Sequence, residues 1–133
     1  FGLQGYESAY PDVLSGGMQQ RVAFLRALLS SQEVMCLDEP FGALDALTRL
    51  DMQRWLLGIW EQTRRSVLFV THSIEEALFL SDRIYVFSEK PTGVLEEIIV
   101  PFQRPRGEAM LKQSEFIRLR AHIYRLMKKE VTL

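Results

Sequence analysis

Apolar residues along this chain switch between helical and strand spacing, and the switches mark its elements. Val22, Leu25 and Leu29 fall on one helical face, so a helix is expected from Gly17 to about Ser30, with Ser15 and two glycines at its mouth. Val34 to Leu37 is a short apolar run ending at Asp38 and Glu39, as a buried strand does on reaching a surface. Met52, Trp55, Leu56 and Ile59 share a face of a second helix across Ala46 to Gln62, and Val67 to Val70 is the next buried strand. Ser73 to Glu76 spells S-x-x-E, a capping box that opens a short helix toward Leu80. Ile84 to Phe87 and Val94 to Val100 are further strands whose Pro and Gly connection lets them form a hairpin. After the breaks at Pro101, Pro105 and Gly107, the residues Phe116, Leu119, Ile123 and Leu126 line one face of a final amphipathic helix, expected to pack on the domain.

Strands alternating with helices predict an α/β fold with a mostly parallel sheet. Ligands of such sheets bind outside the carboxyl ends of the strands, and Asp38, Glu39 and His72 all stand at or just past such ends. Composition agrees with one globular domain: 133 residues, 47% hydrophobic and 25% charged, exclude a disordered or fibrous chain. No apolar run approaches the roughly 18 residues that span a bilayer, and no export signal is visible, so a soluble chain is expected. Cys36 is the one cysteine, which rules out an internal disulfide and favours a reducing compartment. Lying in an apolar run, it is expected to be buried and inert. The net charge of -1 hides an asymmetry, because residues 104–133 carry 8 basic and 3 acidic side chains. Such a tail suits an anionic lipid or nucleic-acid surface, but a solvated helix face is the simpler reading.

Three short stretches carry candidate chemistry. Ser15, Gly16 and Gly17 stand where a helix begins, so a phosphate can approach backbone donors made partly positive by the helix dipole; a plain N-cap is the commoner meaning of S-G-G alone. Asp38 and Glu39 after four apolar residues have the shape of a Walker B strand, one carboxylate for Mg²⁺ and the other for polarising a water, although a solvated turn is an equal reading of that pair in isolation. His72, directly after a strand, can donate from one ring nitrogen and accept at the other, and a lone histidine is more often a local hydrogen-bonding residue. His122 has no partner in sequence and is assigned no role.

Taken together, the stretches resemble one family. LSGGMQQR at Leu14 to Arg21 resembles the signature motif of ABC-type ATPases, VMCLDEP at Val34 to Pro40 their Walker B strand, GALD at Gly42 to Asp45 their D-loop, and THS around His72 their switch histidine. PFGALDALTR, THSIEEALFLSDRI and PFQRPR are similar to importer ATPases of the nitrate, sulfonate and taurine group. The resemblance covers about Tyr10 to Arg104.

It implies a partial P-loop NTPase (ABC ATPase) fold over residues 1–103, with a basic amphipathic C-terminal helix over 104–133. By the same resemblance, Ser15, Gly16 and Gly17 would contact the terminal phosphate of ATP held by a partner subunit, with Gln19 close by. Asp38 would support Mg²⁺, Glu39 would act as general base, His72 would bond the terminal phosphate, and Asp45 would link two subunits of a homodimer. The implied partners are transmembrane permease subunits and, indirectly, a substrate-binding protein, at the cytoplasmic face of the cell membrane, with no nucleic acid expected. The implied cargo is a small anion such as nitrate, sulfonate or taurine.

Two departures from the family pattern stand out. Gln32 replaces a frequent proline before the Walker B strand, which touches nothing catalytic. No G-x-x-x-x-G-K-[ST] occurs, since the only glycine pair is Gly16 and Gly17 and none of Lys90, Lys112, Lys128 and Lys129 follows a glycine loop. The chain therefore reads as a C-terminal piece of such an ATPase that does not hydrolyse ATP alone. A non-catalytic interaction module and a non-transport ABC ATPase of DNA repair or translation are the alternatives. A sheet without its N-terminal strands would leave an apolar face open and the chain prone to associate.

Overall fold

The computed structural model describes residues 16–30, 32–89 and 91–131. They fall into two compact units that divide between Thr71 and His72.

The first unit runs α1 (Gly16–Leu29), β1 (Val34–Asp38), α2 (Ala46–Thr63) and β2 (Ser66–Val70). β1 and β2 pair in parallel, from Val34 opposite Ser66 to Asp38 opposite Val70, with α2 as the crossover that a parallel pair requires. α2 begins at the Asp45 cap and ends where Arg64 turns left-handed (φ 53°) and donates its N–H to the Trp60 carbonyl. Its inward face carries Met52, Leu56 and Ile59, as their spacing predicts. Phe24 of α1 is fully buried, with ring centroids 5.6 Å from Phe41 and 5.8 Å from Trp55. Arg65 reaches back to the segment between α1 and β1, donating to the carbonyls of Ser30 at 2.9 Å and Gln32 at 2.8 Å.

The second unit contains α3 (Ile74–Leu80), β3 (Arg83–Phe87), β4 (Val94–Ile99) and α4 (Ser114–Val131). The Ser73 hydroxyl accepts the Glu76 N–H, so the S-x-x-E signal does mark the start of α3. β3 and β4 form the expected antiparallel hairpin, with an irregularity in register at Val86 and Phe87. Phe116, Leu119 and Ile123 bury one stripe of α4 as their spacing predicts, and the Phe102 ring lies 5.9 Å from that of Phe116. A 3₁₀ turn at Glu108–Lys112, which the sequence pattern does not signal, buries Met110 ahead of α4. The Arg104–Pro105 peptide is cis.

One expectation fails. β1 and β2 are not buried on both faces, and Cys36 is exposed. Because the strands pair in register, Val34, Cys36, Leu68 and Val70 come together on one open face, where Leu68 is 59% exposed. The described residues of this unit cover only the other face, through Met35 and the aromatic cluster around Phe24 and Phe41. An open apolar face of this kind drives association. Size-exclusion chromatography of the 133-residue chain is expected to show earlier elution as concentration rises, and Leu68→Lys is expected to reduce that shift. A compact monomer at every concentration and salt level would count against an adhesive face.

Candidate functional site

β1 carries its ladder to the last possible residue. Asp38 pairs with Val70, and the next N–H, that of Glu39, still donates to the Val70 carbonyl at 2.8 Å. There the chain turns: Glu39 has φ 46°, in the left-handed region that costs a non-glycine residue roughly 1–2 kcal/mol. Asp38 is exposed, whereas Glu39 is half-buried with its Oε1 shielded from solvent. Two adjacent carboxylates thus occupy different surroundings at the carboxyl end of a strand.

The loop that follows is held from α2. Arg49 donates from Nε to the Phe41 carbonyl at 3.3 Å and from Nη2 to the Leu44 carbonyl at 2.9 Å, while the Phe41 ring anchors in the core. Asp45 then caps α2, its Oδ1 accepting the Thr48 N–H and its Oδ2 the Thr48 hydroxyl, both at 2.9 Å. The Thr48 N–H first, and its hydroxyl second, hold the Asp45 carboxyl below its ordinary value of 3.8. Arg49 and Thr48 escaped the sequence reading; D-x-x-T ahead of an apolar helical stripe is the cap signal that points to Thr48.

Gly16 and Gly17 form the first turn of α1, with Gln19 exposed shortly after them; Ser15 lies outside the described residues. In the second unit His72 is exposed and directly precedes the Ser73 cap of α3. It lines an open cleft of ≈ 660 Å³ with Ser73 and Glu75 on one side and Arg120, Tyr124 and Arg125 of α4 on the other. Arg120 crosses that cleft to Glu75 at 3.2 Å. His122 also has a partner that sequence could not supply, Glu96 of β4, 2.6 Å from its Nε2. The structure therefore joins Asp38, Glu39 and Asp45 along one strand-to-helix connection of the first unit and sets His72 beside α4 in the second.

No group of three or more His, Cys, Asp or Glu side chains among the described residues forms a metal cage. The exposed Asp38 carboxylate at a strand end nevertheless suits Mg²⁺, which is commonly held by one or two carboxylates together with substrate phosphates and waters. No helix among the described residues is long and apolar enough to cross a membrane.

A glycine-led helix precedes a parallel strand pair with an acidic turn at its carboxyl end, and solved structures similar to the chain are ABC transporter cassettes. Residues 2–42 match the family described as ABC transporter, and the chain belongs to that ATP-binding family. It is 55% identical over 101 residues to the formylaminopyrimidine import ATP-binding protein ThiZ of Halalkalibacterium halodurans, covering 76% of this chain and 41% of the relative. It is 49% identical over 121 residues to the nitrate import ATP-binding protein NrtD of Synechococcus elongatus, covering 90% of this chain and 44% of the relative. The chain thus spans less than half the length of these curated relatives. Among solved structures, the dimeric bacterial ABC transporter cassette MJ0796 superposes with a TM-score of 0.55 at 34% identity, over 70% of this chain and 39% of that one.

The Asp45 cap gives a pH-dependent test. A carboxyl whose pKa is lowered by folding contributes stability in full above its ordinary pKa and loses it as pH falls through the lowered value. Asp45→Ala is therefore expected to unfold at lower urea than the unaltered chain at neutral pH, with the gap shrinking once pH drops below 3.8. Asp45→Asn, which caps without a charge, is expected to compare with Asp45→Ala without that pH dependence. A gap unchanged at low pH would rule out the charged cap.

Proposed function

We propose that this chain is part of the ATP-binding and ATP-hydrolysing subunit of an importer for a small anion such as nitrate, sulfonate or taurine. The observation that carries the reading is the acidic turn at the end of β1. There a glutamate occupies a left-handed backbone position that glycine or asparagine would fill at lower cost, beside an exposed aspartate. The importer assignment draws on relatives named for nitrate and aliphatic sulfonate import.

Glu39 acts as general base, taking the proton of a water that attacks the terminal phosphoryl group. Shielding of its Oε1 from bulk solvent favours a carboxylate that interacts with one placed water over one that is fully hydrated. Asp38 would hold Mg²⁺, which when bound supplies charge neutralisation on the transferring phosphoryl group. His72 donates a hydrogen bond to the terminal phosphate. Ser15, Gly16 and Gly17, with Gln19 beside them, bind the phosphate of the ATP held by the second subunit, through backbone donors at the start of α1. Asp45 links the two subunits of the homodimer while its carboxylate caps α2.

In this reading residues 1–103 belong to the ATPase domain and 104–133 form its C-terminal extension. Closure around two ATP molecules pulls on permease subunits at the cytoplasmic face of the membrane, and a substrate-binding protein delivers the cargo. The chain alone lacks a G-x-x-x-x-G-K-[ST] loop and is inactive without one.

The reading is tested by fusing a segment that supplies such a loop N-terminal to residue 1. The fusion is expected to hydrolyse ATP and the 133-residue chain alone to show no turnover. Glu39→Gln in the fusion is expected to lower kcat about 100-fold or more while nucleotide binding is retained. Turnover that survives Glu39→Gln would overturn the role of Glu39, and turnover by the chain alone would overturn its dependence on the missing loop.

A further inference from the structure

α3 has seven residues, too few to persist in water unaided, since isolated helices shorter than about 12 residues are marginal. Both of its ends are held, but unequally. At the N-terminal end the Ser73 hydroxyl accepts the Glu76 N–H, and Glu75 meets Arg120 at 3.2 Å. Both partners of that ion pair are well exposed, so it holds weakly.

The C-terminal end is treated differently. Arg106 Nη1 donates to the carbonyls of Leu78 at 3.3 Å, Phe79 at 3.3 Å and Ser81 at 2.6 Å. Arg104 Nη2 donates to the Leu80 carbonyl between them at 2.6 Å. Each guanidinium is itself fixed, Arg106 through Nε and Nη2 to the Phe102 carbonyl at 3.2 and 3.1 Å, and Arg104 through Nε to Asp82 Oδ1 at 2.9 Å. The side chain of Arg106 is 2% exposed and that of Arg104 13%. Burial pushes Arg106 down to about 10, which leaves it charged at neutral pH, and two positive charges face the negative end of the helix dipole. The last carbonyls of α3 are thus bound by two guanidinium groups, little exposed to solvent, of the segment that follows β4.

His72 stands one residue ahead of the cap of this helix. We infer that Arg106, with Arg104, is a positioning residue for His72: by fixing the C-terminal end of α3 it sets the place from which the imidazole enters its cleft. A seven-residue helix is about 10 Å long, so a swing of roughly 20° about its C-terminal end carries its N-terminal end through about 3 Å. Misplacement of a reacting group by about 1 Å can already cost a hundredfold in rate. The inference rests on the proposal that His72 meets the terminal phosphate, but its test needs no nucleotide.

The chain has two histidines, so its imidazole NMR signals are two in kind, and His122, bonded to Glu96 in the same unit, serves as the internal reference. Arg106→Lys keeps the charge, but one ammonium cannot span Phe102 and three carbonyls of the α3 end. In the full chain it is expected to shift or broaden the His72 ring signals and to leave those of His122 in place. Arg104→Ala, which removes a single α3 carbonyl contact, is expected to produce a smaller change of the same kind and decides the matter if Arg106→Lys does not fold. His72 signals that stay put in both variants would overturn the inference, as would His72 and His122 signals that move together. Failure of the ATP hydrolysis test would leave this result standing, and the reverse holds as well.

Discussion

Wherever a helix or strand stops, backbone carbonyls are left that must find donors, and in this chain arginines meet that requirement. Arg49 binds the carbonyls of Phe41 and Leu44, between the acidic turn and the Asp45 cap. Arg65 binds those of Ser30 and Gln32, just ahead of β1. Arg104 and Arg106 together bind four successive carbonyls at the end of α3. A planar guanidinium with five donors can serve several acceptors whose positions are already set, and it keeps its charge when buried. Connections that would otherwise rely on water are therefore fixed by side chains of α2, of the connection between α2 and β2, and of the segment after β4.

The acidic turn at Glu39 shows what such fixing permits. A left-handed glutamate is unfavourable by roughly 1–2 kcal/mol. That cost is offset nearby, since full burial of a side chain such as Phe41 is worth about 1.5–3 kcal/mol, and the 2.8 Å bond from the Glu39 N–H to Val70 keeps the turn attached to the sheet. If geometry alone mattered, glycine would serve better there. A glutamate in that position, with one oxygen shielded and an exposed aspartate beside it, is the geometry on which the proposed general base rests.

Much of this was legible in the sequence because its signals are local. The apolar spacing of Met52, Leu56 and Ile59 located α2, and S-x-x-E located the start of α3, because both depend on residues within one or two turns. An open apolar face was expected of a partial sheet, but not its location on β1 and β2. Val34, Cys36, Leu68 and Val70 read as buried because an apolar run has the same letters whether or not another layer covers it. The arginine contacts were hidden for another reason. Their acceptors are main-chain carbonyls, which every residue has, so RPR at Arg104 to Arg106 is legible as a basic stretch but not as a grip on α3. The cleft that His72 shares with Arg120 and Arg125 joins residues far apart in sequence, and no spacing rule reaches that distance.

The candidate residues are thus placed by two physically different means. Asp38 and Glu39 owe their position to the β1–β2 ladder, which is made of backbone groups and indifferent to most side chains along it. Substitutions on the open face, at Val34 or Cys36, leave every bond of that ladder available. His72 has no ladder of its own. Thr71 and His72 are the whole connection between β2 and the Ser73 cap, so His72 inherits its place from a helix whose stability depends on particular distant side chains. A chain arranged in this way tolerates change along the strand that presents its carboxylates. It is sensitive to change in the basic segment after β4, which grips the end of α3 farther from His72.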